Sequence, residues 1–70
     1  PKVERIRQGQ SNLEVLNNAD VQQITSEYGI TDLDQHHPKS LSNMNITIEF
    51  NDQLGAFTLT TDKHITLNHA

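Results

Sequence analysis

Apolar and polar residues alternate along the last third of the chain. Eight apolar residues share a two-residue spacing within three runs: Met44, Ile46, Ile48 and Phe50, then Phe57 and Leu59, then Ile65 and Leu67. Residues two apart in a strand point to the same face, so the pattern predicts antiparallel strands near 44–50, 56–61 and 64–68. The opposite face of this predicted meander is polar and carries Asn45, Thr47, Glu49, Thr58, Thr60 and Thr66.

The same spacing predicts how the strands pair. Directly opposed residues of antiparallel strands must point to one face, so we expect Phe50 to lie opposite Phe57. This register leaves residues 52–55 as a four-residue turn that ends in glycine, the residue best suited to a left-handed backbone. For the next hairpin, a three-residue turn would place Leu59 opposite Ile65.

The segment before the meander is compatible with two structures. In the first, a short strand at 13–15 precedes a helix over 19–28, which Asn18 caps and Gly29 ends. In the second, one helix runs through the whole of 13–28 from a capping box at its start. Two polar residues interrupt the apolar stripe of the longer helix, which favours the shorter one.

Two other segments are less regular. Residues 1–8 are expected to be a basic arm or an edge strand, although Val3 and Ile6 do not alternate. Residues 30–43 are expected to be a long connecting loop, and loops of this length are often functional. The chain therefore predicts a single small α+β domain over 1–70. One helix packs on a three-stranded antiparallel meander, with one or two short N-terminal strands as an option.

Composition limits the ways in which such a domain is stabilised. The chain has 70 residues, of which 33% are apolar, and a core of this size gives only roughly 3 to 5 kcal/mol of net stability. Cysteine is absent, which excludes disulfides and thiolate zinc sites. Oligomerisation, for which a homodimer is the simplest form, is therefore the expected supplement.

Charge and apolar run length limit the partners. The net charge of −4 disfavours nucleic acids and anionic membranes, and the longest apolar run, two residues, is too short to span a bilayer. By default we expect a cytoplasmic location. Lys2, Arg5 and Arg7 nevertheless place three of the five basic residues in the first seven positions, where they could form a basic arm.

The residues that could carry chemistry are sparse. Histidines at 36, 37, 64 and 69 are the best metal ligands, but adjacent histidines rarely chelate one ion, and His64 and His69 would point to opposite faces of a strand. No nucleophile or phosphate-binding motif is present, and so small a chain has little room for a pocket of about 300 Å³. We expect no catalytic residues, no metal and no cofactor.

The pattern favours a small protein-interaction or regulatory module that acts through a sheet edge or a sheet face. Its partner is expected to be another protein or a second copy of the chain. The residues expected to contact it are Lys2, Arg5, Arg7, Thr47, Thr58, Thr60 and Thr66. The alternative is a small nucleic-acid-associated regulator, of the antitoxin or phage type, that uses the basic arm.

Overall fold

A computed structural model describes residues 2–42 and 45–61. Within these ranges lie two helices and four strands: α1 (Lys2–Arg7), β1 (Leu13–Val15), α2 (Asn18–Tyr28), β2 (Lys39–Ser40), β3 (Ile46–Asn51) and β4 (Ala56–Thr61). The strands form one antiparallel sheet in the order β1-β4-β3-β2. The predicted α+β class, with helix packed on antiparallel strands, is confirmed.

The second helix begins and ends at local sequence signals. The Asn17 side chain accepts a hydrogen bond from the Asp20 amide at 2.8 Å, and the Asp20 carboxylate accepts one from the Asn17 amide at 3.0 Å. This reciprocal pair is a capping box. At the other end Gly29 has a φ of 67°, and its amide donates to the Thr25 carbonyl. The shorter predicted helix is therefore correct, although its cap is Asn17 and not Asn18.

The prediction of an arm or edge strand over residues 1–8 is wrong for the described part of this segment, which is helix α1. Val3 and Ile6 lie three residues apart, a spacing that puts both on one side of a helix, and both are buried. Alternation could not have produced a buried face here, because in a strand these two residues would point in opposite directions.

A glycine also ends the first helix. Gly9 has a φ of 79°, and its amide donates to the Ile6 carbonyl at 3.0 Å. The next amide, that of Gln10, reaches back to the Arg5 carbonyl at 2.8 Å. These two bonds form a Schellman motif, which satisfies carbonyls that the end of a helix leaves unpaired.

The β3–β4 hairpin has the predicted register. Phe50 lies opposite Phe57, with ring centroids 5.1 Å apart at an angle of 78°, and Ile48 lies opposite Leu59. The turn is residues 52–55, and its last residue, Gly55, has a φ of 66° as the register requires. Strand 56–61 has the predicted bounds. The preceding strand was predicted at 44–50 and runs over 46–51, with residue 44 outside the described part.

The second edge of β4 pairs with β1, where Leu13 lies opposite Thr60 and Glu14 opposite Leu59. The predicted strand at 64–68, and with it the expected partner Ile65, lies outside the described residues. Leu59 has Ile48 on one side, in β3, and Glu14 on the other side, in β1. Glu14 thus occupies the position next to Leu59 that was predicted for Ile65.

The long segment at 30–43 is less free than a connecting loop. In its described part it contains β2, which pairs with Thr47 and Ile48 of β3. Leu41 follows β2 and is fully buried, and Ile30 and Leu33 pack against the core from partly buried positions. These contacts anchor the segment near both of its ends.

One cluster of buried residues forms the core between the helices and the inner face of the sheet. Its members are Val3, Ile6, Leu16, Ile24, Leu41, Ile46, Ile48 and Leu59. The helix that the sequence predicted as the cover, α2, contributes Ile24 and the half-buried Val21 and Tyr28. The first helix, α1, adds Val3 and Ile6, and Leu16 and Leu41 lie outside both helices. In the described ranges no helix is both long and apolar enough to cross a bilayer.

Candidate functional site

The sheet has a second face, here called the outer face, which points away from the core. It includes seven strand residues that alternate with those of the core: Leu13, Val15, Ser40, Thr47, Glu49, Thr58 and Thr60. Glu49 is the only charged residue among the seven. Strand pairing on both sides of β3 and β4 holds this surface, and the backbone beneath it is therefore well defined.

Leu13 and Val15 are the unexpected members of the outer face. Each is 45% exposed, whereas a pattern of apolar residues alternating with Glu14 would ordinarily predict that the apolar pair points inward. Pairing with β4 instead makes both side chains point outward, because Leu13 lies across from Thr60 and Val15 lies across from Thr58. Two apolar side chains thus border the threonines that the sequence had already placed on this face.

Glu14 can point inward because its charge is matched there. Its carboxylate accepts hydrogen bonds from the Arg5 guanidinium at 3.1 and 3.2 Å, and a third from the Ser11 hydroxyl. The Arg5 and Ser11 hydrogen bonds lower the pKa of Glu14 below its usual value. An inward-facing charge on a short edge strand is also a common way to discourage unwanted strand pairing.

The predicted threonines differ in their accessibility. Thr47 and Thr60 lie directly opposite each other and are half-buried. Thr58 is buried, with its hydroxyl 3.4 Å from the Glu49 carbonyl to which it donates. Thr66 lies outside the described residues. Of the predicted contact threonines in the described part, Thr47 and Thr60 therefore offer surface, whereas Thr58 offers little.

The three basic residues of the predicted arm are all paired with carboxylates. Lys2 lies 2.7 Å from Asp20, Arg5 lies 3.1 Å from Glu14, and Arg7 lies 3.1 Å from Glu4. The Lys2 ammonium and the Asn17 amide hold the pKa of Asp20 below its usual value. Cations engaged in this way leave little net positive charge to attract a phosphate backbone.

Lys2 also protects the free edge of the sheet. Its ammonium donates to the backbone carbonyl of Val15 at 2.7 Å, in addition to its bond with Asp20. The Val15 carbonyl belongs to edge strand β1, where an unpaired carbonyl invites another strand to add. Addition of a partner strand at this edge would require the Lys2 ammonium to move.

A cleft of 330 Å³ lies between α1 and α2. Val3 and Ile24, both buried, form its apolar part, while Lys2, Asp20, Glu27 and Tyr28 are among the polar residues around it. A cavity of this size was not expected in so short a chain. It depends on a second helix beside α2, at residues where no helix was predicted.

The histidines in the described part belong to a turn. Asp34 accepts hydrogen bonds from the backbone amides of His36 and His37, at 2.7 and 2.8 Å, and the His37 ring lies 3.1 Å from the same carboxylate. The His36 amide and the His37 ring lower the pKa of Asp34 to about 2. Over residues 2–42 and 45–61 no three histidine or acidic side chains group as metal ligands would, and His64 and His69 fall outside these ranges.

Comparison with models of protein families, with curated proteins and with solved structures found no match. The candidate functional surfaces are therefore the two described above, the outer face of the sheet and the cleft between α1 and α2. They lie on opposite sides of the sheet, because the helices that form the cleft cover the inner face. One surface is flat and nearly uncharged, and the other is concave and rich in charged groups.

Proposed function

We propose that this chain is a protein-interaction module whose outer face contacts a partner protein. The observation that carries the proposal is the exposure of Leu13 and Val15, at 45% each, on a paired strand. In a small domain with few apolar residues, burying these two in the core would have added to stability. Their position on the surface is better explained by a contact with another molecule.

The remaining residues of the outer face suit such a contact. Thr47 and Thr60 present methyl and hydroxyl groups on a flat surface, and charged residues, which are depleted at the centre of protein interfaces, are limited to Glu49. The backbone beneath is fixed by ladder hydrogen bonds, so little conformational entropy is lost when a partner binds.

The size of the outer face indicates what kind of complex it forms. Four short strands spaced about 4.8 Å apart present a surface on the order of 300 Å². A stable, standard-sized interface takes about 800 Å² from each partner. The face alone therefore supports a transient contact better than an obligate homodimer.

The net charge supports a partner of basic character. The chain carries a net charge of −4, so a second copy would bring the same sign of charge to the interface. A partner with a small apolar patch bordered by lysine or arginine would match Leu13, Val15 and Glu49. We therefore assign the outer face to a different protein with a basic border, and not to a second copy.

A double variant, Leu13→Thr with Val15→Thr, tests the proposal. Threonine has the β-branched shape that strands favour, and it carries less apolar surface than leucine or valine. Leu54→Thr is the matched control, because Leu54 is 53% exposed and lies in the turn between β3 and β4. Proteins captured from the native source would be quantified by mass spectrometry, and the affinity of each for the purified variants would then be measured.

We expect the wild type and the control to bind a common partner with similar affinity. The double variant should bind that partner at least about tenfold more weakly, because it loses about 1.4 kcal/mol of apolar contact. Equal binding by all three proteins would contradict the proposal. Sedimentation equilibrium of the chain alone is the second measurement, since a dimer that only the double variant disrupts would assign the face to a second copy instead.

A further inference from the structure

The cleft between α1 and α2 has a wall that repeats once per helical turn. Asp20, Ile24 and Glu27 follow one another at spacings of four and three, so α2 presents them on one side. Tyr28, half-buried, completes this wall, and Val3 of α1 faces it across the cleft. An apolar strip therefore passes between charged groups.

In the described part of the chain, some of the charged residues around the cleft form ion pairs and one does not. Lys2 is bound by Asp20 and by the Val15 carbonyl, and Arg5 is bound by Glu14. Glu27, in contrast, makes no ion pair or hydrogen bond with any other described residue. The cations of the lining are thus occupied, whereas one carboxylate remains available.

Glu27 and Tyr28 are placed to recognise a cation. A carboxylate accepts charge-assisted hydrogen bonds from an ammonium or guanidinium group. The face of a tyrosine ring next to it adds an electrostatic attraction, and the tyrosine hydroxyl oxygen is a further acceptor. Among the described residues that line the cleft, both cations, Lys2 and Arg5, are engaged in ion pairs, so neither is available to an anion.

We propose that this cleft binds an organic cation with a short aliphatic stem, that is, an alkylammonium or alkylguanidinium group. The head group is held by the Glu27 carboxylate beside Tyr28, and the stem lies along Val3 and Ile24. A volume of 330 Å³ is at the lower end of the range for small-ligand sites, about 300 to 1,000 Å³, which fits a group of this size. The site is independent of the outer face.

The test is an NMR titration of the ¹⁵N-labelled chain with n-butylammonium, and with butyrate as an anion that carries a stem of similar length. We expect saturable shifts at the amides of Val3, Ile24, Glu27 and Tyr28 with butylammonium and none with butyrate. Shifts that do not saturate, or that butyrate reproduces, would overturn the proposal.

Two variants make the test specific. Glu27→Gln keeps the size of the side chain but removes its charge, and we expect affinity for butylammonium to fall about tenfold or more. Asp52→Asn removes the same charge from the exposed β3–β4 turn and should bind as wild type does. Equal affinity in Glu27→Gln and wild type would refute the assignment, because both variants change the net charge equally.

The source of the cation is resolved by two further ligands, 1,4-diaminobutane and a tripeptide with blocked ends and a central lysine. Tighter binding of the diamine would indicate a small metabolite, and tighter binding of the peptide would indicate the side chain of a partner protein. Failure of both ligands to bind would contradict the proposal.

Discussion

The two helices pack on the same face of the sheet but are stabilised in different ways. α2 has eleven residues, a capping box at Asn17 and Asp20, and a left-handed glycine at its end. α1 has six residues and shares only the last of these signals, a glycine at position 9. A helix of six residues is unstable on its own, because too few hydrogen bonds offset the cost of starting it.

Tertiary contacts supply what α1 lacks. Val3 and Ile6 place its apolar side in the core, while Lys2 and Arg5 attach its polar side to α2 and β1 through Asp20 and Glu14. The comparison shows that one helix is specified mainly by its own sequence and the other mainly by its neighbours. Both are equally necessary for the cleft, which lies between them.

The largest expected effect comes from removing the packing of α1. Ile6→Ala deletes a buried side chain, and we expect the free energy of unfolding to fall by about 2 to 4 kcal/mol, because apolar contact is lost and a cavity remains. Urea denaturation measures this change. Leu54→Ala, at an exposed position, is the control and should change stability by no more than about 0.5 kcal/mol.

A small effect of Ile6→Ala, similar to that of the Leu54 control, would contradict the view that packing on the core stabilises α1. It would mean that α1 is not held by the core and that its helical form has another cause. A change in the slope of the denaturation curve, with little change in its midpoint, would instead indicate that α1 unfolds separately from the sheet.

A smaller effect is expected at the start of α2. Asn17→Ala removes the side chain that accepts from the Asp20 amide, and the loss of such a cap costs about 1 kcal/mol. Asn18→Ala is an exact neighbour control, since Asn18 is the first helical residue and not the cap. Thermal or chemical unfolding of both variants should show that only the first is clearly destabilised, and the reverse order would show that the cap is at residue 18.

The smallest effect concerns the ion pairs of α1. The pKa values of Asp20 and Glu14 lie below the ordinary values of 3.8 and 4.5, respectively, because of their partners Lys2 and Arg5. Their pairing therefore stabilises the fold above those ordinary values and is lost as the pH falls toward the lowered pKa values of the folded state. We expect a Lys2→Met, Arg5→Met variant to lose less stability than wild type on acidification below about pH 4.5.

Denaturation at a series of pH values measures this difference, with Arg7→Met as a control that removes an exposed basic residue of the same helix. An acid limb as steep in the double variant as in wild type would show that other carboxylates determine the acid sensitivity. The attachment of α1 would then depend on Val3 and Ile6 alone.

The elements that are specified by their own sequence were predicted well, and the helix that depends on its neighbours was not. The register and turn of the β3–β4 hairpin were predicted to the residue, because the two-residue period and Gly55 both constrain them. α2 was predicted within one residue, because its caps are local. α1 was missed, since the spacing of Val3 and Ile6 is helical but two residues are too few to define a period. Gly9 was the available signal.

The candidate sites were less predictable than the fold. Thr47 and Thr60 were identified from alternation alone, but the exposure of Leu13 and Val15 depends on which residues of β4 lie opposite them. The sequence of a three-residue strand is too short to determine this register. The cleft could not be predicted either, because it requires α1 and α2 to be placed side by side.

One carboxylate connects most of these features. A single oxygen of Asp20 accepts from the Asn17 amide at 3.0 Å and from the Lys2 ammonium at 2.7 Å, and Lys2 in turn reaches the Val15 carbonyl. Substitution of Asp20 would disturb α1, β1 and α2 together. In evolutionary terms, we expect positions 2, 17 and 20 to vary as a set among descendants of a common ancestor, with no one of them changing freely while the others stay.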